Sequence, residues 1–447
     1  MKPKSQPADE LLLFQAHLDQ MLNSQHELVQ LAKQIDWSRF DAAFAGCYSP
    51  DMGAPAKAVR LMVGLHYLKH AFNQSDESME KRWVENPYWQ YFCGYTHMQH
   101  VFPIDPSCMS RWRRRVGDRK LAQMLAETID LAVRQRHLPR RDLQRVIVDT
   151  TVQEKNITYP TDSKLLYRAV VKLVKAAKRQ GIRLRQTYIR VGKFAAIRAG
   201  RYAHAKQFGK MQRENRRLKT YVGRLIRDIR RKANGVLSVE LTKLFELARR
   251  LIKQQPQDKD KLYSLHEPQV RCISKGKAHK RYEFGQKVSV ATTNRGNWIV
   301  AAKMEAGNPY DGHTLAGAIQ AIEAITGTAV TEACVDKGYR GHDYTGPATV
   351  HIGMGSRRRP RSERMRRRRR SAVEPKIGHL KSENRMGRCF LGGLAGDAIN
   401  AVLAAAGSNL RKLLALLLCA LTNWLSLTIK TAQNSLAPQR DRTVLAT

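Results

Sequence analysis

The sequence has few acidic residues and no ordered cysteine pattern, and both shortages exclude classes of protein. Asp and Glu number 38 against 79 Lys and Arg, so the formal net charge at pH 7 is +41. A folded chain with this charge repels itself unless a polyanion neutralises it, so nucleic acid is the first candidate partner and an anionic membrane the second. The seven cysteines include no Cys-x-x-Cys pair, which argues against a zinc ribbon or a disulfide framework and favours a reducing cytosol.

The sequence also shows no pattern of a secretory leader and only one long apolar run. The first ten residues contain no apolar run of the kind that a leader needs. Only residues 413–429 approach the length of a membrane span, and polar residues interrupt that run, among them Thr422, Asn423 and Ser426. We expect a buried or interface helix there, with a membrane span as the alternative. Because 43% of the residues are hydrophobic, a packed core is expected rather than a disordered basic tail.

Helical patterns dominate residues 10–140, where apolar residues recur at helical spacing and no strand pattern occurs. Asp105 followed by Pro106 is a helix-start signal. The basic helix that follows fits the DNA-reading helix of a helix-turn-helix unit, with an ordinary basic surface helix as the alternative. Three of its arginines are expected to contact DNA: Arg111, Arg113 and Arg114.

Strand patterns begin at residues 145–150, where the β-branched run RVIVDT predicts a buried strand. A basic helical region follows over 164–255, with 27 Lys or Arg and 4 Asp or Glu. KVSVATT and NWIVAAKME then flank an Asn-Arg-Gly-Asn turn and predict a β-hairpin. One helix and two further strands, AVTEACVD and ATVHIGMG, complete the pattern. The order indicates a mixed α/β sheet of the ribonuclease H type, with a long helical insertion after the first strand.

An arginine run lies just before the final helices. Residues 357–370 contain ten Arg and one Glu. Like charges this dense are costly to hold together in a compact chain, so contact with phosphates is favoured over a solvated loop. This run and the 164–255 region carry about three-quarters of the net charge.

Three acids stand where such a sheet could bring them together. We expect Asp149 at the end of the first strand, Asp336 at the end of the fourth and Glu374 at the start of the helix after the arginine run. Two Mg²⁺ ions held by such carboxylates can activate an attacking oxygen and stabilise a leaving oxygen in phosphodiester chemistry. Each acid also has an ordinary explanation as a turn, cap or helix-dipole residue, so only the set of three is informative.

Other acids are expected to have ordinary roles. Asp311 in PYDGHT is assigned to capping the helix that follows, rather than to a metal pair with His313. Glu154 and Asp162 are interpreted as solvated loop acids. Glu383 is the main alternative to Glu374, but it lacks an arginine four residues earlier.

These residues resemble those of the DDE transposases of bacterial insertion sequences, whose third-acid region carries Y-x2-R-x3-E-x6-K. Arg370, Glu374 and Lys381 match R-x3-E-x6-K, while Arg367 stands at the tyrosine position. The stretches VIVDTTVQEKNITYPTDSKLLYR, GNPYDGHTL and VDKGYRG resemble the surroundings of the first two acids, and the N-terminal helices resemble the helical domain of the family. The resemblance covers about residues 40 to 415.

The resemblance implies an enzyme that binds the terminal inverted repeats of its element, cuts DNA there and joins the 3′ hydroxyls to target DNA. Asp149, Asp336 and Glu374 would hold two Mg²⁺ ions, with Mn²⁺ able to substitute. Arg370, Lys381 and the basic residues near them would hold DNA phosphates; the position of Arg370 before Pro375 leaves open whether it shares the helix of Glu374. A homodimer or larger assembly on DNA, a cytoplasmic, nucleoid-associated location and no stable membrane association are expected.

The sequence-based domain layout has five parts. They are a helical DNA-binding domain 1–140, a first core segment 141–163, a basic helical insertion 164–255, the rest of the catalytic core 256–415 and a C-terminal helix and tail 416–447. Two other functions remain open: a catalytically inactive DNA-binding protein derived from a transposase, and a metal-dependent nuclease without strand transfer.

Overall fold

The computed structural model describes residues 17–49, 53, 55–233, 237–274, 281–353 and 360–435. Up to the first strand at Arg145, the regular structure of the described residues is helical, as the apolar spacing of the sequence predicts. Their bounds are α1 Leu18–Met21, α2 Glu27–Gln34, α3 Trp37–Phe44, α4 Val59–Ala71, α5 Asp76–Glu85, α6 Pro87–Phe92, α7 Pro106–Arg134 and α8 Arg140–Leu143.

Seven strands form one mixed sheet within the described residues, so the prediction of a mixed α/β sheet is confirmed. They are β1 Arg145–Lys155, β2 Arg271–Ser274, β3 Tyr282–Thr293, β4 Ile299–Glu305, β5 Glu332–Val335, β6 Thr349–Ile352 and β7 Arg388–Cys389. The main path runs β2-β3-β1-β5-β6, with β4 on β3 and β7 on β1. β3 is antiparallel to β1, β2 and β4, whereas β5 is parallel to β1 and β6.

The central strand β1 is longer than its sequence pattern suggests. β3 pairs with it from Val146 to Glu154, so it continues well beyond residue 150. On its other side β5 pairs only as far as Ile147, and β7 pairs only at Glu154 and Lys155. Within the described residues, 148–153 therefore have no strand on that side, and β1 and β5 separate there. Diverging strand ends of this kind form the crevice in which open α/β sheets place their ligands.

Four helices lie between β1 and β2: α9 Asp162–Arg179, α10 Ile189–His204, α11 Phe208–Lys232 and α12 Val239–Lys253. They enclose a hydrophobic cluster of their own, with Leu173, Leu218, Val222 and Phe245 at its centre. The main cluster is a different set of residues that joins the N-terminal helices to the sheet. We call this group of four helices the bundle.

The remaining helices are α13 Leu315–Thr326, α14 Arg361–Arg368, α15 Val373–Glu383 and α16 Gly393–Ser435. α16 packs against α4, α7 and β4, so one helix supports both the N-terminal helices and the sheet. Its stretch Gly393–Ala420 is long and apolar enough to cross a membrane, but 61% of its most apolar window is buried inside the protein. This burial favours a core helix for residues 396–414. Of the apolar run 413–429, residues 415–420 are half-buried or exposed, and most side chains beyond them lie outside the described part of the structure.

Candidate active site

The two sequence-predicted aspartates meet where β1 and β5 separate. Ile147 of β1 lies opposite Cys334 of β5 in the parallel register. Asp149 and Asp336 each come two residues later, and side chains two apart in extended chain point to the same face. Asp149 lies in the middle of β1 rather than at its end, which corrects the sequence-based placement; the strand continues because β3 still pairs with it.

One pocket of about 550 Å³ contains both aspartates and a third carboxylate that sequence reasoning did not assign to the site. The third is Asp311, from the loop after β4. Thr150, Lys287 and residues 308–310 complete much of the wall. All three aspartates are partly exposed, so solvent and substrate can reach them.

Asp311 is held by long-range contacts, and its predicted capping role is wrong. Its Oδ1 accepts hydrogen bonds from Thr150 Oγ1 at 2.9 Å and from Lys287 Nζ at 2.8 Å. No cap hydrogen bond from this side chain is present at the helix that follows. The signal that could have identified Asp311 is Lys287, a lysine within a buried strand pattern, because a buried ammonium requires a counterion. Lys287 also donates to Pro309 O at 2.6 Å and so fixes the loop to β3.

Gly338 allows two of these carboxylates to approach each other. Its N–H donates to Asp336 Oδ1 at 2.8 Å. A Cβ at residue 338 would lie 2.9 Å from that oxygen and 3.4 Å from Asp311 Oδ2, so both oxygens border the space above the glycine. Next to it, burial raises the pKa of Tyr339, and the negative charges of Asp149, Asp311 and Asp336 raise it further. The phenol therefore stays neutral beside the carboxylates.

Glu374 lies on α15 rather than in the pocket wall. The preceding residue, Val373, packs on Ile147 and Cys334, the register pair that precedes the two aspartates. The helix of Glu374 therefore lies against the strands that carry Asp149 and Asp336. Its side chain is 60% exposed and accepts a hydrogen bond from Arg370 Nη2 at 3.1 Å.

Arg370 reaches Glu374 because the chain stays helical through this region. It belongs to a 3-10 turn, Arg369–Ala372, that runs directly into α15. Arg370 and Glu374 thus lie on consecutive turns, which settles the question left open by Pro375. Arg367 belongs to α14, and its side chain lies outside the described part of the structure.

The other candidates on α15 face different partners. Lys381 Nζ lies 3.8 Å from Glu283 Oε1. Glu383 accepts a hydrogen bond from His379 Nδ1 at 2.7 Å and pairs with Arg411 at 2.8 Å. The hydrogen bond from His379 is the main cause of its lowered pKa, and the charge of Arg411 lowers that pKa further. It does not line the carboxylate pocket. Neither do Glu154 and Asp162.

The chemistry of the pocket suits a hard divalent cation. Its donors are carboxylate and hydroxyl oxygens, the ligands that Mg²⁺ prefers. Among the described residues, no group of three His, Cys, Asp or Glu side chains is close enough to hold a metal ion. Mg²⁺ commonly binds through one or two carboxylates and takes its other ligands from water and substrate phosphate. The residues present therefore fit such an ion in combination with a phosphate substrate.

The three N-terminal arginines have different surroundings. Asp105 caps α7 by accepting from Ser107 N at 2.8 Å, as its sequence predicts. Arg111 and Arg114 are exposed on this helix. Arg113 is 2% exposed and binds both carboxylate oxygens of Asp76, at 3.0 and 2.5 Å. Arg113 is therefore a structural residue, which corrects its assignment to DNA contact.

The approach to α7 also differs from a helix-turn-helix. Residues 93–105 separate it from α6, whereas the turn of that motif has three or four residues. The helix-turn-helix interpretation is therefore wrong for this pair, and the alternative of a basic surface helix fits the exposed Arg111 and Arg114.

Comparison with known proteins identifies the family of the chain. Residues 16–115 match a family model described as a transposase domain, and residues 330–414 match one described as a transposase DDE domain. The second match includes Asp336 and Glu374, while Asp149 and Asp311 lie outside both. The chain belongs to the DDE transposases of insertion sequences. It is also 50% identical over 208 residues to a Rhizobium meliloti protein described as ORF8 in the nfe locus, covering all of that protein and 46% of this chain. No solved structure matches the chain.

Proposed function

We propose that this transposase binds the terminal inverted repeats of its own element, cleaves DNA at those ends and joins the 3′ hydroxyls to target DNA by two-metal-ion phosphoryl transfer. The observation that carries the proposal is the pocket that Asp149 and Asp336 share. Each aspartate comes two residues after the paired positions Ile147 and Cys334, where β1 and β5 begin to separate. Carboxylates at such a crevice suit phosphodiester chemistry, which requires metal ions and a wide opening for DNA.

The sheet supports a ribonuclease H-like core. If the short strands β2 and β7 are set aside, the order is β4-β3-β1-β5-β6, with antiparallel pairing on one side of β1 and parallel pairing on the other. This is the order that the sequence pattern indicates. We propose the domain layout on the same basis, with the bundle as the insertion after the first strand and the N-terminal helices as a DNA-binding domain.

Asp149, Asp336 and Glu374 would hold two Mg²⁺ ions, or Mn²⁺ in their place. The ions, when bound, would activate water or the 3′ hydroxyl and stabilise the leaving oxygen. Asp311 is a positioning residue, since its carboxylate fixes Thr150, the neighbour of Asp149. For Glu374 to bind a metal ion its bond to Arg370 must break; the carboxylate is 60% exposed, and a helical i,i+4 pair at the surface is worth about 0.3–0.5 kcal/mol. Breaking this pair, so that Glu374 can bind a metal ion and Arg370 a phosphate, therefore costs little free energy.

DNA contacts are proposed at two places. Arg111 and Arg114 on α7 would bind the terminal repeats, since both are exposed near the start of the helix. Arg370, Lys381 and Arg367 would hold the phosphates next to the cut. Pairing of two element ends requires two active sites, so a homodimer or larger assembly on DNA is part of the proposal.

The test uses a supercoiled plasmid that carries the genomic DNA bracketing this gene, with Mg²⁺ or Mn²⁺. Wild-type protein should nick or cut at the element ends, and Asp149→Ala and Glu374→Ala should not. Glu246→Ala removes an exposed acid of α12 and serves as the matched control, with activity expected to stay at the wild-type level. Equal cutting by wild type and Asp149→Ala would show that the enzyme assignment is wrong.

The product pattern separates the remaining alternatives. Strand-transfer products, with element ends joined to target DNA, are expected for a transposase and absent for a nuclease without joining activity. Binding without any cutting, in wild type as in the variants, would indicate an inactive DNA-binding descendant.

A further inference from the structure

The bundle has a surface whose charges its own acids do not neutralise. Glu214 is occupied by Arg198 at 3.0 Å and Arg217 at 2.8 Å. Asp228 accepts from the backbone N–H of Arg185, which is the main cause of its lowered pKa, and pairs with two further cations of α11. Each of these acids is shared by several cations, and the 164–255 region holds 27 Lys or Arg against 4 Asp or Glu, so most of its positive charge remains for an external anion.

The cations concentrate along one groove, which we call the bundle groove. It consists of two adjoining cavities of about 710 and 740 Å³ that share Arg185 and Arg231. The chain between α9 and α10 forms one wall and the C-terminal half of α11 forms the other. Six exposed cations line it against the single acid Asp228: Arg183, Arg185, Arg224, Arg227, Arg231 and Lys232.

The spacing of these cations suits a regular polyanion. Arg224, Arg227 and Arg231 are three and four residues apart, so they lie on one face of α11. At 1.5 Å per residue they form a row about 10 Å long. Phosphates of one B-DNA strand advance about 3.4 Å along the axis, so the row can follow about three phosphates.

The lining of the groove favours a double strand over an unpaired one. Tyr188 is an aromatic residue of the groove, and its ring is already stacked on Tyr221 with centroids 4.8 Å apart. Unpaired bases bind through free aromatic faces, whereas a duplex offers its phosphates. The apolar residues of the lining are buried or half-buried, so the groove offers no apolar side chain for insertion into a membrane.

The geometry points to the bundle groove as a binding surface for the phosphate backbone of duplex DNA, separate from the carboxylate pocket. This inference rests on the proposed function only in that DNA is the substrate. The groove binds without reading sequence and holds the duplex while the pocket acts on one phosphate. Binding through it should therefore depend strongly on salt and not on divalent metal.

The experiment measures binding of a labelled 30-base-pair duplex of unrelated sequence to the full chain by fluorescence anisotropy, in EDTA, from 50 to 200 mM NaCl. The groove variant combines three substitutions: Arg224→Gln, Arg227→Gln and Arg231→Gln. The control variant removes the same charge from exposed positions of α12 that do not line the groove: Lys243→Gln, Arg249→Gln and Lys253→Gln.

Loss of three phosphate contacts should reduce the slope of log affinity against log salt by up to about 2.7, which over this fourfold salt range is about fortyfold in affinity. The control variant should change the slope much less. An equal change in both variants, or none in the groove variant, would overturn the proposal. Tighter binding of duplex RNA of the same length would assign the groove to RNA instead and would also overturn it.

A second measurement does not depend on removing charge. Gln186 lines the groove, and a photo-crosslinker on Gln186→Cys should attach to the duplex, whereas one on Glu246→Cys should not. The reverse pattern would contradict the proposal. Failure of the groove is also distinct from failure of the proposed function: Asp149→Ala should lose cutting and keep the wild-type salt slope, whereas the groove variant should show a reduced slope and still cut at low salt.

Discussion

Arg113 and Arg114 are adjacent arginines of α7, and the structure predicts opposite consequences for their removal. Arg113 is buried, binds both oxygens of Asp76 and donates to His66 Nε2 at 3.1 Å. Lys69 also donates to Asp76, at 2.6 Å. Burial alone would raise the pKa of Asp76, but the hydrogen bonds and charges of Arg113 and Lys69 outweigh it and lower that pKa strongly. Arg114 is exposed.

Removal of one partner from a buried ion pair costs about 3–5 kcal/mol, because the other charge stays buried. Lys69 still neutralises Asp76 in Arg113→Ala, so we expect a loss near 3 kcal/mol in the free energy of unfolding. Arg113→Lys should recover little of it, since an ammonium cannot bind both oxygens as the guanidinium does. Arg114→Ala should change stability by no more than about 0.5 kcal/mol, as is usual for exposed sites.

Urea unfolding followed by tryptophan fluorescence measures this difference, because four of the six tryptophans lie in the N-terminal helices. DNA binding is measured on the same samples at a temperature at which both variants are folded. Arg114→Ala should weaken binding, and folded Arg113→Ala should bind as wild type does. A stable Arg113→Ala with weakened DNA binding would refute the structural assignment.

Three further results are expected. Burial and the guanidinium of Arg113 lower the pKa of His66 to about 3, so the unfolded state takes up a proton before the folded state does as pH falls below about 6.5. Between pH 7 and 4.5 this difference should lower the free energy of unfolding by about 2.5 kcal/mol, measured by urea titration at each pH. His66→Gln should abolish that part of the pH dependence. Gly338→Ala would place a Cβ 2.9 Å from Asp336 Oδ1, and calorimetry should show Mn²⁺ binding weakened roughly 10–100-fold with unchanged melting; unchanged affinity would contradict the site. Gly407→Ala would place a Cβ 2.5 Å from the Cβ of His70, and thermal unfolding should show a loss of about 1–3 kcal/mol, with wild-type stability as the contradicting outcome.

Local patterns predicted the elements but not which faces they bury. The β-branched run around Asp149 and the hairpin turn were sufficient to place β1, β3 and β4, because strand propensity and turn chemistry are local. The four-residue strand β2 was missed, since its pairing with β3 depends on register rather than on composition. The burial of Arg113 could not be predicted either, because its partner Asp76 comes 37 residues earlier on another helix.

The candidate active site likewise contains residues that the local sequence could identify and one that it could not. Asp149 and Asp336 could be proposed from their places after strand patterns, since parallel strands bring such positions to one edge. Asp311 could not, because its local sequence is that of a helix cap and only the fold brings it to Thr150 and Lys287. The number of charged residues indicated a nucleic-acid partner but not which surface binds it. The six cations of the bundle groove come from two segments that are separate in the sequence and adjacent in the fold.

The packing of α16 also has a consequence for the order of folding during synthesis. Its glycine Gly407 lies directly against the backbone of His70 in α4, at a place where a side chain would not fit. α16 leaves the ribosome long after α4 and α7, whose apolar faces it covers. Contacts this distant along the chain form slowly, and uncovered apolar faces invite aggregation meanwhile. The N-terminal helices should therefore reach their final packing only after α16 has been made. Unfinished chains would then not bind DNA at the element ends in place of finished protein.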